Sequence, residues 1–242
     1  MDKVRIGLVA SGSGTDANAV MTAYRNGQLL PECEVVSLLA TKAGAGCLDR
    51  ATALNISMHI IERYGMFEPD DGSGACQKTQ ADFESQVSKW LWDNEIQLVF
   101  LLGCIHRMPT NCLVRGELVE MFNIHPADPE AHGGEGMYGL AVHKHVLANL
   151  LDRISRGMAD LEADQFFTYP VVHRVTANYD QGLSLMEVAV PIPASIIIRA
   201  QTDLASAAKE LQQVVLPIEH LMLPAAVNIA ARLILDQNEP SC

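Results

Sequence analysis

The chain has 242 residues, 49% of them apolar, and a formal net charge of −12. This is enough apolar sequence for one large α/β domain or two small ones, and it excludes a disordered chain. The negative charge argues against an extended nucleic-acid or anionic-membrane surface, because nothing offsets phosphate repulsion, and leaves a small molecule as the expected partner.

Val4 to Ala10 reads as a first buried strand, and Ala17 to Tyr24 carries a helical pattern. Between them lies Ser11-Gly12-Ser13-Gly14-Thr15-Asp16, a small flexible loop opening a helix. Free N–H groups and the positive end of the helix dipole make such a corner an anion site. It lacks the third glycine of a dinucleotide fingerprint and the Lys of a P-loop, so a plain turn with Thr15 or Asp16 as N-cap is the competing reading. Glu34 to Ala40 is expected as strand two, Gly44 to Asn55 as a helix, and Ser57 to Ile61 as strand three. Tyr64 to Gln77 reads as a polar loop. Thr79 to Asn94 places Phe83, Val87, Trp90 and Leu91 on one helical stripe, as core contacts. Gln97 to Leu102 is a continuous apolar strand ending at Gly103, and Pro109 to Arg115 is expected as a short helix.

Met121-Phe122-Asn123-Ile124-His125-Pro126 is then a short strand stopped by its proline. Asn123 and His125 are two apart, so on an extended backbone both side chains leave from one face. An amide donor beside an imidazole suits an oxygen that is gaining negative charge; a polar strand end with a hydrogen-bonded His is the plainer alternative. Strands that alternate with helices and are themselves apolar imply a parallel sheet covered on both faces, with ligands at the carboxyl ends of the strands. The 11–16 loop, the 103–108 loop and the Asn123/His125 pair all map to that edge.

Beyond Pro126 the pattern changes. Ala127 to Met137 reads as a loop, and Gly139 to about Met158 as a helix with His143 and His145 near its start. Thr168 to Thr176 and Leu183 to Pro191 flank the turn Ala177-Asn178-Tyr179-Asp180-Gln181-Gly182 and must pair antiparallel. A last helical stretch, Leu204 to Asp236, is expected to break near Pro217 and Pro224. No repeat or linker appears, so residues 1–242 are expected to form a single domain. The cysteines at 33, 47, 76, 104, 112 and 242 form no Cys-x-x-Cys pair; neither disulfides nor a metal site is expected, and a reducing cytoplasm fits best. No apolar run is expected to span a membrane, and Met1-Asp2-Lys3 leads straight into a strand pattern rather than a signal peptide.

Several residues in order carry a resemblance: Ser11-Gly12-x-Gly14, Gly103 after an apolar strand, Asn123-Ile124-His125-Pro126, Gly139-Leu140-x-x-His143, Val172-His173-x-Val175-Thr176, Asp180-x-Gly182 and Glu219-His220-x-x-x-Pro224. From about residue 4 to residue 232 the chain resembles the folate-dependent formyltransferase family. The resemblance implies a Rossmann-like formyltransferase fold: a mostly parallel sheet, helices on both faces and an antiparallel C-terminal hairpin. It implies transfer of a formyl group from N10-formyltetrahydrofolate, as co-substrate, to a small primary amine that is expected to be phosphorylated, with glycinamide ribonucleotide of purine synthesis first among the candidates. The amine attacks the formyl carbon and an oxyanion forms. Asn123 would donate to that oxygen, protonated His125 would stabilise the same charge, and Asp180 would hold the imidazolium. Ile105, His106, Arg107, Met108 and Val175, Thr176, Ala177 and Asp180 would line the folate pocket. Ser11, Gly12, Gly14, Thr15 and Asp16 would take the phosphate and Glu219 the ribose. His173 matches a family position and is expected to brace the hairpin.

Four departures from the family bear on the acceptor: Thr15-Asp16 in place of Ser-Asn; Ala127 to Gly136, acidic and Gly-rich, in place of an apolar loop; Arg107 one place along from the usual Arg; and a longer, more acidic Asp152 to Phe166. Three further readings therefore stay open: another amine acceptor, hydrolysis of formyltetrahydrofolate, and a folate- or nucleotide-binding module without catalysis. A homodimer stays open as well.

Overall fold

The computed structural model describes residues 3–67, 76–104 and 106–237. Their contacts divide the chain into two compact units, Met1–Phe122 with Val227–Cys242, and Asn123–Ala226.

In the first unit, β1 (Val4–Ala10) is followed by α1 (Thr15–Arg25), β2 (Cys33–Ala40), α2 (Gly46–Ala53) and β3 (Ser57–Ile60). A two-residue strand pair comes next, β4 (Met66–Phe67) with β5 (Cys76–Gln77), then α3 (Gln80–Asp93), β6 (Leu98–Leu101), β7 (Leu113–Val114) and β8 (Glu117–Leu118). β9 (Glu120–His125) starts here. The strand order is β3-β2-β1-β6 and then β9; β1 runs parallel to β2 and β6, and β2 parallel to β3. The apolar interiors of β1, β2 and β6 are the reason: Ile6, Leu8, Leu38, Leu98 and Phe100 are all fully buried, as strands covered on both faces must be, whereas β3 at the edge is exposed along its length. α3 begins at a reciprocal capping box between Thr79 and Asp82, and buries Phe83, Val87, Trp90 and Leu91, the stripe expected.

Three expectations for this unit are corrected. The N-cap of α1 is neither Thr15 nor Asp16 but Gly14, at φ 68° with no side-chain cap; a Cβ there would collide with Cys47, so the close approach of α2 selects glycine. Pro109 to Arg115 is not a helix: β7 and β8 form an antiparallel hairpin. Arg115 and Gly116 both have positive φ, 54° and 87°, the two-residue turn that matches strand twist. The loop from Tyr64 to Gln77 contains the antiparallel pair β4 and β5.

In the second unit, the end of β9 is followed by α4 (Pro129–His132), α5 (Leu140–Ser155), β10 (Phe167–Thr168), β11 (Val171–Arg174), β12 (Ser184–Glu187), β13 (Val190–Pro191), α6 (Ala194–Ala200) and α7 (Leu204–Gln237), whose last residues belong to the first unit. The order continues from β9 to β11 and β12. β11 pairs antiparallel with β12, and β10 with β13, so the expected hairpin forms, interrupted at Tyr169-Pro170 and Val188-Ala189. Its core gathers Val142, Leu147, Ile197, Leu211 and Val215.

Ala127 to Met137 is not all loop. Asp128 accepts from the Glu130 N–H and Pro129 takes the first helical position, a combination that starts the single turn of α4. α6 was not legible, because its Ile196-Ile197-Ile198 run has strand character; Pro193 opens it. α7 does not break: Pro217 and Pro224 lie inside one continuous helix. They are seven residues apart and so share a face. Pro217 is exposed and Pro224 partly so, which leaves the carbonyls that lose a partner open to water. α7 also corrects the expectation about membrane length, since its most apolar window has a mean hydropathy of 1.6. Within the second unit, however, the helix buries Leu211, Val215 and even the carboxylate-bearing Glu219, the pattern of a core helix.

Candidate active site

The second unit brings Asn123, His125 and Asp180 together. β9 ends on them: Met121, Ile124 and His125 are buried and Asn123 half-buried, and Pro126 ends the strand. Asp180 sits in the turn after β11 at φ 53°, a left-handed conformation that Asp tolerates better than most residues. Its carboxylate lies 3.9 Å from His125 Nδ1, ionic contact rather than a hydrogen bond.

The proton on His125 is fixed by its other nitrogen. Nε2 lies 3.1 Å from the carbonyl of His132. A carbonyl only accepts, so Nε2 donates, and Nδ1 is the nitrogen that faces Asp180. Burial lowers the pKa of His125 below its usual 6.5, although the charge of Asp180 pulls the other way. The resting ring is therefore neutral near pH 7. The imidazolium that the resemblance implies is then not the resting form: the ring is 3% exposed, and desolvation outweighs one carboxylate beyond hydrogen-bond distance.

Asp180 is ionised. Burial pushes its pKa up, but His173, the Gly134 N–H and His125 together bring it below the ordinary carboxylate value. The Gly134 N–H donates to Oδ2 at 2.9 Å. Gly133 has to be small, because a Cβ there would collide with the Pro129 carbonyl and meet Asp180 Cβ at 2.8 Å.

His173 is the residue that sequence reasoning undervalued. Its Nδ1 donates to the Arg174 carbonyl at 3.1 Å, and its Nε2 is 3.4 Å from both Asn123 Nδ2 and Asp180 Oδ1. A neutral ring accepts from Asn123; a protonated one donates to Asp180. Asn123 keeps its second Nδ2–H for a ligand. The signal in sequence was a polar residue inside the buried Val171-Val172-His173 run. No sequence signal marked the backbone roles of His132 and Gly134. His143, 1% exposed with an unpartnered Nδ1, is held neutral at a pKa of about 4 by burial and by His125. A hollow of about 430 Å³ in this unit is lined in part by His132, Val146, Arg153 and Phe166, so His132 touches both the hollow and the carboxylate–imidazole centre.

Of the other residues singled out in the sequence, Glu219 is buried in this unit. Val175 is half-buried, and Thr176 and Ala177 are exposed beside Asp180. In the first unit, Ser11 Oγ is 2.7 Å from Thr41 Oγ1, and the Cys104 thiol donates to the His106 carbonyl at 3.7 Å. The Gly12 carbonyl accepts from the Cys47 N–H at 3.2 Å. Gly14 caps α1, with Thr15 and Asp16 in its first turn. His106 packs edge-on against Tyr64 and Phe83, Met108 is buried, and Arg107 is exposed. Ile105 lies outside the described residues. Among the described residues no group of three or more His, Cys, Asp or Glu side chains is arranged to hold a metal ion.

Comparison with known proteins gives the family. The sequence model of the formyl transferase family matches residues 4–217, and the chain belongs to that family. It is 26% identical over 191 residues to the chloroplastic phosphoribosylglycinamide formyltransferase of Vigna unguiculata, covering 79% of this chain and 52% of that protein. The phosphoribosylglycinamide formyltransferase of Schizosaccharomyces pombe is 26% identical over 226 residues, covering 91% of this chain and 94% of the relative. The chain spans about half the length of the plant relatives it matches. Among solved structures, glycinamide ribonucleotide transformylase 1 from Symbiobacterium toebii aligns with a TM-score of 0.67 at 22% identity, covering 95% of this chain and 88% of that one. That likeness establishes the fold: a sheet of mostly parallel strands with helices and an antiparallel pair towards the C-terminus.

Proposed function

We propose that this protein transfers a formyl group from N10-formyltetrahydrofolate to the primary amine of glycinamide ribonucleotide, with Asn123, His125 and Asp180 as its catalytic residues. Membership of the formyl transferase family supports the reaction class, and the names of the relatives from Vigna unguiculata and Schizosaccharomyces pombe support the acceptor. The observation that carries the reading is the Asp180 carboxylate facing Nδ1 of His125 at 3.9 Å, with Asn123 on the same strand as His125.

The folate derivative supplies a formyl group already activated on nitrogen. Asn123 directs its free Nδ2–H at the formyl oxygen as charge collects there; one such donor is worth roughly 3–4 kcal/mol of barrier. His125 Nδ1 takes the proton that the attacking amine sheds, Asp180 holds the resulting imidazolium, and the same proton is then available to the departing nitrogen. The charge separation that burial disfavours at rest thus appears only when the reaction creates it.

Ser11, Gly12, Gly14, Thr15 and Asp16 are our choice for the phosphate, because the left-handed Gly14 turns the loop into the positive end of α1. Glu219 is our choice for the ribose hydroxyls. For the folate our choices are His106, Arg107 and Met108 in the first unit and Val175 to Asp180 in the second; His106, edge-on to Tyr64 and Phe83, offers an aromatic face that suits a flat heterocycle. We read residues 1–242 as one functional domain, since the family match runs across both units. We place it in the cytoplasm on its cysteine pattern.

The test follows release of deformylated folate by absorbance. Saturable turnover with glycinamide ribonucleotide, lost in Asn123→Ala and His125→Ala while folate still binds, is the expected result. Folate binding without turnover at millimolar glycinamide ribonucleotide rejects the acceptor. The same outcome with every amine tried rejects formyl transfer.

A further inference from the structure

We propose that the paired rings of His132 and His145 are a positioning device for His125, acting through the backbone carbonyl of His132; this inference rests on the formyl-transfer reading above. A buried imidazole presents whichever nitrogen its surroundings leave unprotonated. For His125 the deciding group is the His132 carbonyl, 3.1 Å from Nε2. While that acceptor stays in place, Nε2 keeps its proton and the lone pair of Nδ1 points towards Asp180. If the acceptor moves away, no other hydrogen bond among the described residues selects this tautomer, and a proton on Nδ1 would be drawn to the carboxylate. The ring would then rest with its reactive nitrogen blocked.

The carbonyl belongs to the last residue of α4, which is four residues long. A single helical turn has no stability of its own. Asp128 caps its start, and Ala127 and Met137 pack into the core on either side. Its side-chain hydrogen bond to a longer element is His132 Nδ1 to His145 Nδ1, 3.2 Å, with the rings edge to face at a centroid distance of 5.1 Å. His145 stands on α5, sixteen residues long and packed through Val142, Val146, Leu147 and Leu150. The same short segment also supplies the Gly134 N–H that holds Asp180 at 2.9 Å. One imidazole pair thus fastens the piece of chain that sets both the tautomer of His125 and the orientation of Asp180. Neither ring of the pair touches the reacting groups through its own side chain, so both are positioning residues.

The experiment compares wild type with His145→Ala, His132→Ala and His145→Asn. Nitrogen NMR of the imidazole rings reads the tautomer of His125, and steady-state kinetics read kcat and KM. Alanine suits the interior of α5, so His145→Ala keeps its helix, and His132→Ala keeps the backbone carbonyl while cutting its tether. The expected result is a mixed His125 tautomer in both alanine variants, with kcat down on the order of 10-fold and KM for the folate within about 2-fold. His145→Asn, whose amide offers a donor and an acceptor at similar reach, should restore most of both. An unchanged Nε2–H tautomer in both alanine variants overturns the proposal, whether kcat is retained or falls together with thermal stability. The tautomer is read on the protein without substrates. A wild type without formyl transfer therefore rejects the functional reading alone, and the ring spectra still decide this one.

Discussion

Replacing Asp180 by Asn removes one charge and little volume, and it tests the division of labour in the centre. The amide oxygen can still accept from the Gly134 N–H, now 2.9 Å from Oδ2, so the turn should keep its shape. What disappears is the anion 3.9 Å from His125 Nδ1. With an effective dielectric near 20, unit charges at that separation attract by about 4 kcal/mol, equivalent to roughly a thousandfold in rate if the imidazolium is fully formed at the barrier. This lies within the roughly 10²–10⁴-fold typical of positioned proton transfer. The pH profile carries a second signature. Burial lowers the His125 pKa and Asp180 partly offsets it. In wild type, kcat/KM should therefore rise with pH through a midpoint below 6.5 and stay high at neutrality; in Asp180→Asn that midpoint should move further down. The assay is absorbance of the deformylated folate under saturating acceptor. A kcat within about tenfold of wild type, in a variant with unaltered thermal stability, would show that the carboxylate does not hold the charge assigned to it.

Asn123→Ala should cut kcat/KM by about 10²–10³-fold while leaving folate affinity nearly unchanged, because the lost donor acts on charge present only at the barrier; titration calorimetry alongside kinetics separates the two. Gly133→Ala should lower stability by about 1–3 kcal/mol through overpacking, since its Cβ has Asp180 Cβ at 2.8 Å, and a shifted denaturant midpoint reports it. His143 is protonated in the unfolded chain near 6.5 but in the folded one only near about 4. Its contribution is therefore complete above 6.5 and is lost as pH falls towards 4, up to about 3 kcal/mol in all. In His143→Gln the slope of stability against pH between those limits should be shallower by up to one proton, and an unchanged slope would contradict the assignment.

How far the sequence could be read follows from the range of the interactions involved. β1, β2 and β6 announced themselves because a strand buried on both faces is apolar throughout, and α3 because its stripe and its Thr79 cap are local. Asn123 and His125 were legible as a pair since a strand has period two. The hairpin at Arg115-Gly116 was missed because an arginine rarely takes positive φ, so no Asn-Gly or Asp-Gly signal marked it. α7 was expected to break because the proline rule is local, whereas burial of Leu211, Val215 and Leu223 acts along the whole helix. The resting charge of His125 was not legible for a similar reason. Asp180 could be guessed as its partner, but not the depth of burial that outweighs it.

The acidic, Gly-rich replacement of the family's apolar loop suggested a more negative wall around the acceptor. The structure gives those residues other work. Asp128 caps α4 while its charge still favours the protonated form of His125, and Glu130 and Glu135 are exposed. The two glycines are the functional part of the change, since Gly133 lets the backbone pass against Asp180 Cβ and Gly134 gives that carboxylate its N–H. A carboxylate buried beside an imidazole would otherwise be pulled towards its neutral form, leaving nothing to hold the proton that the proposed mechanism gives to His125. By supplying a backbone donor, the loop keeps Asp180 charged while burial keeps His125 neutral. Unlike charge states on adjacent groups are the condition under which one of them can accept a proton from an incoming amine. On the proposed mechanism, the departure in sequence thus bears on how the centre is held.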